Sequence, residues 1–174
     1  MREAEREQFR QFVAASGGRL IRVAAALTGD HHAAEDLLQS ALMRTAARWR
    51  HLEDPEAYVR RAMYHAQITI WRRRQRLRET PTAVVPERAD QRDEMGATDR
   101  RLALGQALMR LGPRQRAVLV ARFYEDLSEE GTAALLGCSP GTVRSQLHRA
   151  LARLRQIAPE LHDDDHELNR ESIR

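Results

Sequence analysis

Apolar residues recur through most of the chain at spacings of three and four, the period of a helix with one buried face, and no stretch alternates strictly enough to predict a strand. From Glu3 to Leu27 the apolar stripe runs through Phe9, Phe12, Val13, Leu20, Ile21, Ala24 and Leu27. The pair Gly17-Gly18 predicts a break into two helices there, because glycine is costly in a helix interior. Gly29 ends the segment, and Asp30 is placed to cap a second helix from His31 to Trp49, with Leu37, Leu38, Ala41, Leu42 and Thr45 on one face. After a polar loop, Arg50 to Glu53, Asp54-Pro55 predicts a helix start: a capping carboxylate, then proline at the first helical position. This third helix carries Tyr58, Val59, Ala62, Met63, Ala66 and Ile70, and runs into the basic stretch Trp71 to Arg78.

Periodicity disappears from Glu79 to Thr98, where Pro81, Pro86 and many charges predict a flexible linker. It returns at Asp99 with Leu102, Leu108 and Leu111. Gly112-Pro113 restarts a helix holding Val118, Leu119 and Phe123. Ser128 caps a short helix that Gly137 terminates, and Ser139-Pro140 opens a last helix to Ile157. The expected fold is all-α: two small helical domains, residues 1–78 and 99–158, joined by a flexible linker over 79–98 and followed by a disordered tail over 159–174, with a helix-turn-helix in the C-terminal domain.

Composition sharpens this picture. Aromatic residues make up only 5% of the chain, so the core must be built from Leu, Ala, Val and Ile, which helical bundles accommodate. The 29 basic residues are all arginine, and planar guanidinium groups pair bidentately with phosphate and with guanine edges. A GC-rich genome accounts for much of that bias. Because the net charge is only +4, the placement of arginines matters more than their number. The single cysteine, Cys138, excludes an internal disulfide and a multi-cysteine zinc site. Neither a signal-peptide pattern nor a bilayer-length apolar run is present, and a cytoplasmic location is expected.

The segment from Leu127 to Leu147 meets the requirements of a helix-turn-helix. Ala133 is small where two steeply crossing helices touch, Gly137 suits a left-handed turn, and Val143 and Leu147 anchor the second helix. That helix would present Thr142, Arg144, Ser145, Gln146, His148 and Arg149 to the major groove. There Arg can bind guanine in bidentate fashion and Gln can read adenine. The competing description is an ordinary helical hairpin with a solvated arginine face, against which turn glycine, cap, proline and anchor all agree.

The third helix suggests a different kind of contact. Arg72, Arg73, Arg74, Arg76 and Arg78 follow Trp71, and Tyr58, Arg60, Arg61, Tyr64 and His65 lie upstream. Rings interleaved with cations suit nucleic acid whose bases are unstacked, the rings stacking on bases while arginines hold phosphates. Each aromatic taken singly fits core or rim packing better, whereas the arginine cluster fits DNA contact.

Leu27-Thr28-Gly29-Asp30 followed by Ala33-Ala34-Glu35-Asp36-Leu37-Leu38-Gln39, with Gly137-Cys138-Ser139 and Gly141-Thr142-Val143-Arg144-Ser145 downstream, resembles the bacterial extracytoplasmic-function sigma factors of the sigma-70 superfamily. The resemblance covers Glu7 to Leu154. It implies a promoter-specificity subunit of RNA polymerase, a binding protein with no catalytic residues, cofactor or metal of its own. The matching residues imply that Glu35, Asp36, Leu38, Gln39, Leu42 and Arg44 dock on the clamp helices of the polymerase's largest subunit. Helix three, through Tyr58, Arg61, Tyr64, His65, Trp71, Arg72, Arg73, Arg74 and Arg76, and the loop Arg50 to Glu56 would engage the minus-ten element and help open it. The final helix would read the minus-thirty-five element through Arg144, Ser145, His148 and Arg149. Four positions depart from the family's pattern: His65 where Asn is frequent, Gly131 in place of a better helix former, Gln146 in place of a basic residue, and Pro140, which is less usual but fits the first helical turn. An anti-sigma protein is a common further partner of such factors.

The alternative is a stand-alone helix-turn-helix regulator with a sensing or dimerising N-terminal domain, which would need neither the acidic-apolar second helix nor the arginine-aromatic third. A nucleic-acid enzyme lacks candidate catalytic groups, since neither a phosphate-binding glycine loop nor a nucleophile elbow occurs. His162-Asp163-Asp164-Asp165-His166 has metal-ligating residue types but no rigid frame to hold them.

Overall fold

A computed structural model describes the backbone of residues 2–78 and 97–159, and the side chains of 2–70 and 103–159. All regular elements among the described residues are helices. The N-terminal half consists of α1 (Glu3–Thr28), α2 (His31–Arg48), a 3-10 turn (Trp49–His51) and α3 (Pro55–Arg78). The C-terminal half consists of α4 (Ala97–Met109), α5 (Pro113–Leu119), a widened π-type turn (Val120–Tyr124), α6 (Glu129–Leu136) and α7 (Pro140–Ile157). The linker residues 79–96, the tail from Glu160 onward and the His162–His166 cluster lie outside the described residues.

Local chemistry explains most of the boundaries. Asp30, Asp54, Ser128 and Ser139 each accept a hydrogen bond from the backbone N–H three residues on, closing α2, α3, α6 and α7. Gly29 (φ 73°) and Gly137 (φ 66°) end α1 and α6 in the left-handed region. One expected boundary is absent. Helix α1 passes through Gly17-Gly18 without a break, so the anticipated pair of helices is one. Leu20, Val23, Ala24 and Leu27 are buried beyond the glycines, while Phe9 and Phe12 pack on Trp49 before them. Burial at both ends holds the helix in register and outweighs roughly 1 kcal/mol per glycine.

The two halves share a core. Leu20, Leu27, Leu37, Ala41, Val59 and Met63 cluster with Ala117, Val120, Ala121 and Leu135 from the C-terminal half. Helix α5 is the common element, buried from Arg116 to its end. Its Leu119 joins Leu111 and Ala150 in a second cluster, and Val118 joins Ala133 and Val143 in a third, inside the helix-turn-helix. Phe123, expected on one helix with Val118 and Leu119, is 65% exposed although they are buried. The widened turn accounts for this. Glu125 N donates to Val120 O, five residues back, and the extra residue slips the helical phase.

Candidate nucleic-acid interface

In the helix-turn-helix, Val143 is fully buried against Val118 and Ala133, which fixes the roll of α7 about its axis. With the roll set, Arg144, Ser145, His148 and Arg149 are exposed, and Thr142 and Gln146 are half-buried beside them. Ser139 Oγ accepts from Thr142 N at 3.2 Å and lies 3.0 Å from Thr142 Oγ1, so the start of α7 is rigidly capped. Arg144 Nη2 donates to Glu129 Oε2 at 2.8 Å, across the motif to the first turn of α6. That bond lowers the carboxyl of Glu129 below its usual range and raises the guanidinium of Arg144. Glu129 carries no distinguishing sequence signal that would mark this bond.

The face of α3 is turned toward the C-terminal half. Tyr64 is fully buried, and its hydroxyl donates to Glu125 Oε1 at 2.6 Å. Burial first, and the Glu125 charge second, push the Tyr64 phenol well above its ordinary value. Arg60 Nε sits 2.6 Å from Glu125 Oε2, an ion pair by distance without the alignment of a hydrogen bond. His65 Nε2 lies 3.2 Å from Leu135 O, and Arg61 donates to Ala134 O at 3.2 Å. Tyr58 is half-buried near the start of the helix. Of the residues expected at the minus-ten element, Arg61, Tyr64 and His65 thus meet α6 or the turn before it. The side chains of Trp71, Arg72, Arg73, Arg74 and Arg76 lie outside the described residues.

Arg116, which no motif marked, binds the two halves together. It is only 7% exposed, and its guanidinium donates to Leu27 O at the end of α1 and to Leu108, Met109 and Leu111 carbonyls at the end of α4. Both helix ends present carbonyls with acceptor capacity to spare and a partial negative charge, which replace the carboxylate a buried arginine ordinarily requires. Burial pulls its pKa down to about 10, leaving it protonated at neutrality.

Helices α1 and α2 frame a shallow groove lined by Phe9, Ile21, Glu35, Leu38, Gln39, Leu42, Met43 and Ala46. Four residues expected to meet the polymerase, Glu35, Leu38, Gln39 and Leu42, come together here at helical spacing. Asp36 and Arg44 are exposed on α2 outside the lining. Met43, 68% exposed, was not anticipated, although its place one residue after Leu42 signals an apolar extension of the stripe.

The family model described as Sigma-70 region 2 matches residues 12–77, and that described as Sigma-70, region 4 matches residues 101–154. The chain is 46% identical over 153 residues to the RNA polymerase sigma-E factor of Streptomyces coelicolor, covering 86% of this chain and 85% of that one. The chain belongs to the sigma-70 family. Within it, the sigma factor is of the extracytoplasmic-function class: it is 35% identical to the ECF RNA polymerase sigma factor SigL of Mycobacterium tuberculosis, over 82% of this chain and 84% of SigL. Among solved structures it is similar to the sigma factor RpoE of Bartonella quintana, there in complex with the anti-sigma factor NepR. The TM-score is 0.71 at 25% identity, covering 87% of this chain and 96% of that one. This sigma factor therefore acts in promoter recognition and transcription initiation with RNA polymerase, and no described helix is long and apolar enough to cross a membrane.

Proposed function

We propose that this sigma factor divides its work among three surfaces. Helix α7 reads the duplex minus-thirty-five element through Thr142, Arg144, Ser145, Gln146, His148 and Arg149. Helix α3, with Tyr58, Arg61, Tyr64, His65 and the basic run Trp71 to Arg76, engages the minus-ten element and holds an unstacked base. The α1–α2 groove, with Asp36 and Arg44 at its margin, receives the clamp helices of the polymerase's largest subunit inside the cell. Melting then draws no external energy source, because bases bound on protein surfaces offset the few kcal/mol that each unstacked step costs. None of the three surfaces performs covalent chemistry.

The observation that carries this proposal is the exposed, rigidly capped arginine face of α7, anchored from beneath by a fully buried Val143. One consequence concerns shape. Tyr64 reaches DNA only if the C-terminal half moves off α3, so the compact arrangement is the resting form and polymerase binding accompanies its opening. An anti-sigma protein, such as the one bound to the Bartonella factor, would restrain that step.

Adding the chain to sigma-free core polymerase with genomic promoter fragments, and mapping transcript starts, tests the assignment. Starts at a fixed distance from a shared pair of elements are expected. Tight duplex binding without any polymerase-dependent initiation would instead identify a free-standing regulator.

A further inference from the structure

The geometry points to Glu129 as a specificity-determining positioning residue: its carboxylate holds Arg144 in a base-reading orientation before DNA arrives. The inference rests on the proposal that α7 reads the upstream element.

Three observations lead to it. Glu129 lies in the first turn of α6 and Arg144 in the second turn of α7, so the bond spans the two helices of the motif on its exposed edge. The carboxylate is recessed, with a side chain 26% exposed, whereas that of Arg144 is 72% exposed. The guanidinium therefore stands outward from a fixed base. Only Nη2 is engaged, and a guanidinium carries five N–H donors, so enough remain outward for a bidentate contact with guanine O6 and N7.

The chemistry explains why a carboxylate belongs in a DNA-facing motif. A free arginine on a long stem follows the nearest phosphate, which adds affinity on every sequence alike. Tethering to Glu129 removes that option in two ways. It spends the rotamer freedom of Arg144 in advance. It also places negative charge, from Glu129 with Glu130 beside it, where the phosphate would otherwise draw the cation aside. Arg144 is left to bind where a base edge meets it squarely.

The test uses the full chain bound to core polymerase and a promoter library randomised across the upstream element, at several salt concentrations. Arg144→Ala should abolish preference at one base pair. Glu129→Ala should lower preference at the same pair by about fivefold or more. It should also steepen the fall of log affinity with log salt by about one, as Arg144 takes up a phosphate. Glu129→Gln, which keeps an acceptor and disturbs the cap of α6 least, should retain an intermediate preference. The double variant should discriminate no worse than Arg144→Ala alone. Preference lost in Arg144→Ala but untouched in Glu129→Ala overturns the inference and leaves α7 as the reader. Preference untouched in both overturns that assignment of Arg144 as well.

Discussion

Arg116 and Leu27 are 89 positions apart, yet the buried hydrogen bond between them joins the chain's two halves. The arginine has four carbonyl acceptors and, among the described residues, no carboxylate partner. A lysine cannot replace it, because one ammonium cannot fan out to two helix ends. Arg116→Met should therefore destabilise the protein by about 3 kcal/mol, through the Met109 and Leu111 carbonyls left without a donor, as read by chemical denaturation. A loss below about 0.5 kcal/mol would show that water replaces the guanidinium. Gly29 is the second residue whose identity is demanded. Besides its positive φ, a Cβ there would fall 2.1 Å from Met109 Sδ. Gly29→Ala should thus lower the melting temperature and loosen the contact of α1 with α4 as well as the end of α1.

Helix α1 shows how packing overrides propensity. Gly17 and Gly18 sit mid-helix with open space around them: an added Cβ would approach nothing closer than 3.9 Å. The glycines weaken the element without serving a close approach. Gly17→Ala and Gly18→Ala are each expected to stabilise the fold by about 0.5–1 kcal/mol, visible as a raised melting temperature. Met43 rises from the α1–α2 groove and is too exposed to support the core. Met43→Asp should leave the unfolding free energy within about 1 kcal/mol of the parent and weaken core-polymerase affinity severalfold. Unchanged affinity would move the polymerase contact away from this groove.

In the whole molecule, Glu125 receives the Tyr64 hydroxyl and sits against Arg60, and this set closes the C-terminal half over α3. Glu125→Ala leaves a buried phenol without its acceptor and a half-buried guanidinium without its counter-charge. A stability loss of about 1.5–3 kcal/mol is expected. Amide exchange should quicken most where α3 meets α6, while the helix-turn-helix core around Val143 keeps its protection. Uniform quickening across both halves would mean that they unfold as one unit with no separate opening.

Much was legible in the sequence because it is local. The caps at Asp30, Asp54, Ser128 and Ser139, the turns at Gly29 and Gly137 and the apolar stripe of each helix act over a few residues, and the family's motifs lie on those elements. What meets each stripe was decided in three dimensions. Periodicity marks a face as apolar without naming its partner, so Tyr64 could be read toward DNA although it lies under Glu125. The extra residue in the turn after α5 left Phe123 exposed while Val118 and Leu119 are buried. The Arg116 and Glu129 bonds join residues from different helices, and no spacing along the chain encodes them. Short-range hydrogen bonding and periodic burial determine the helices; the shared core, and the face of α3 it conceals, exist only once those helices pack.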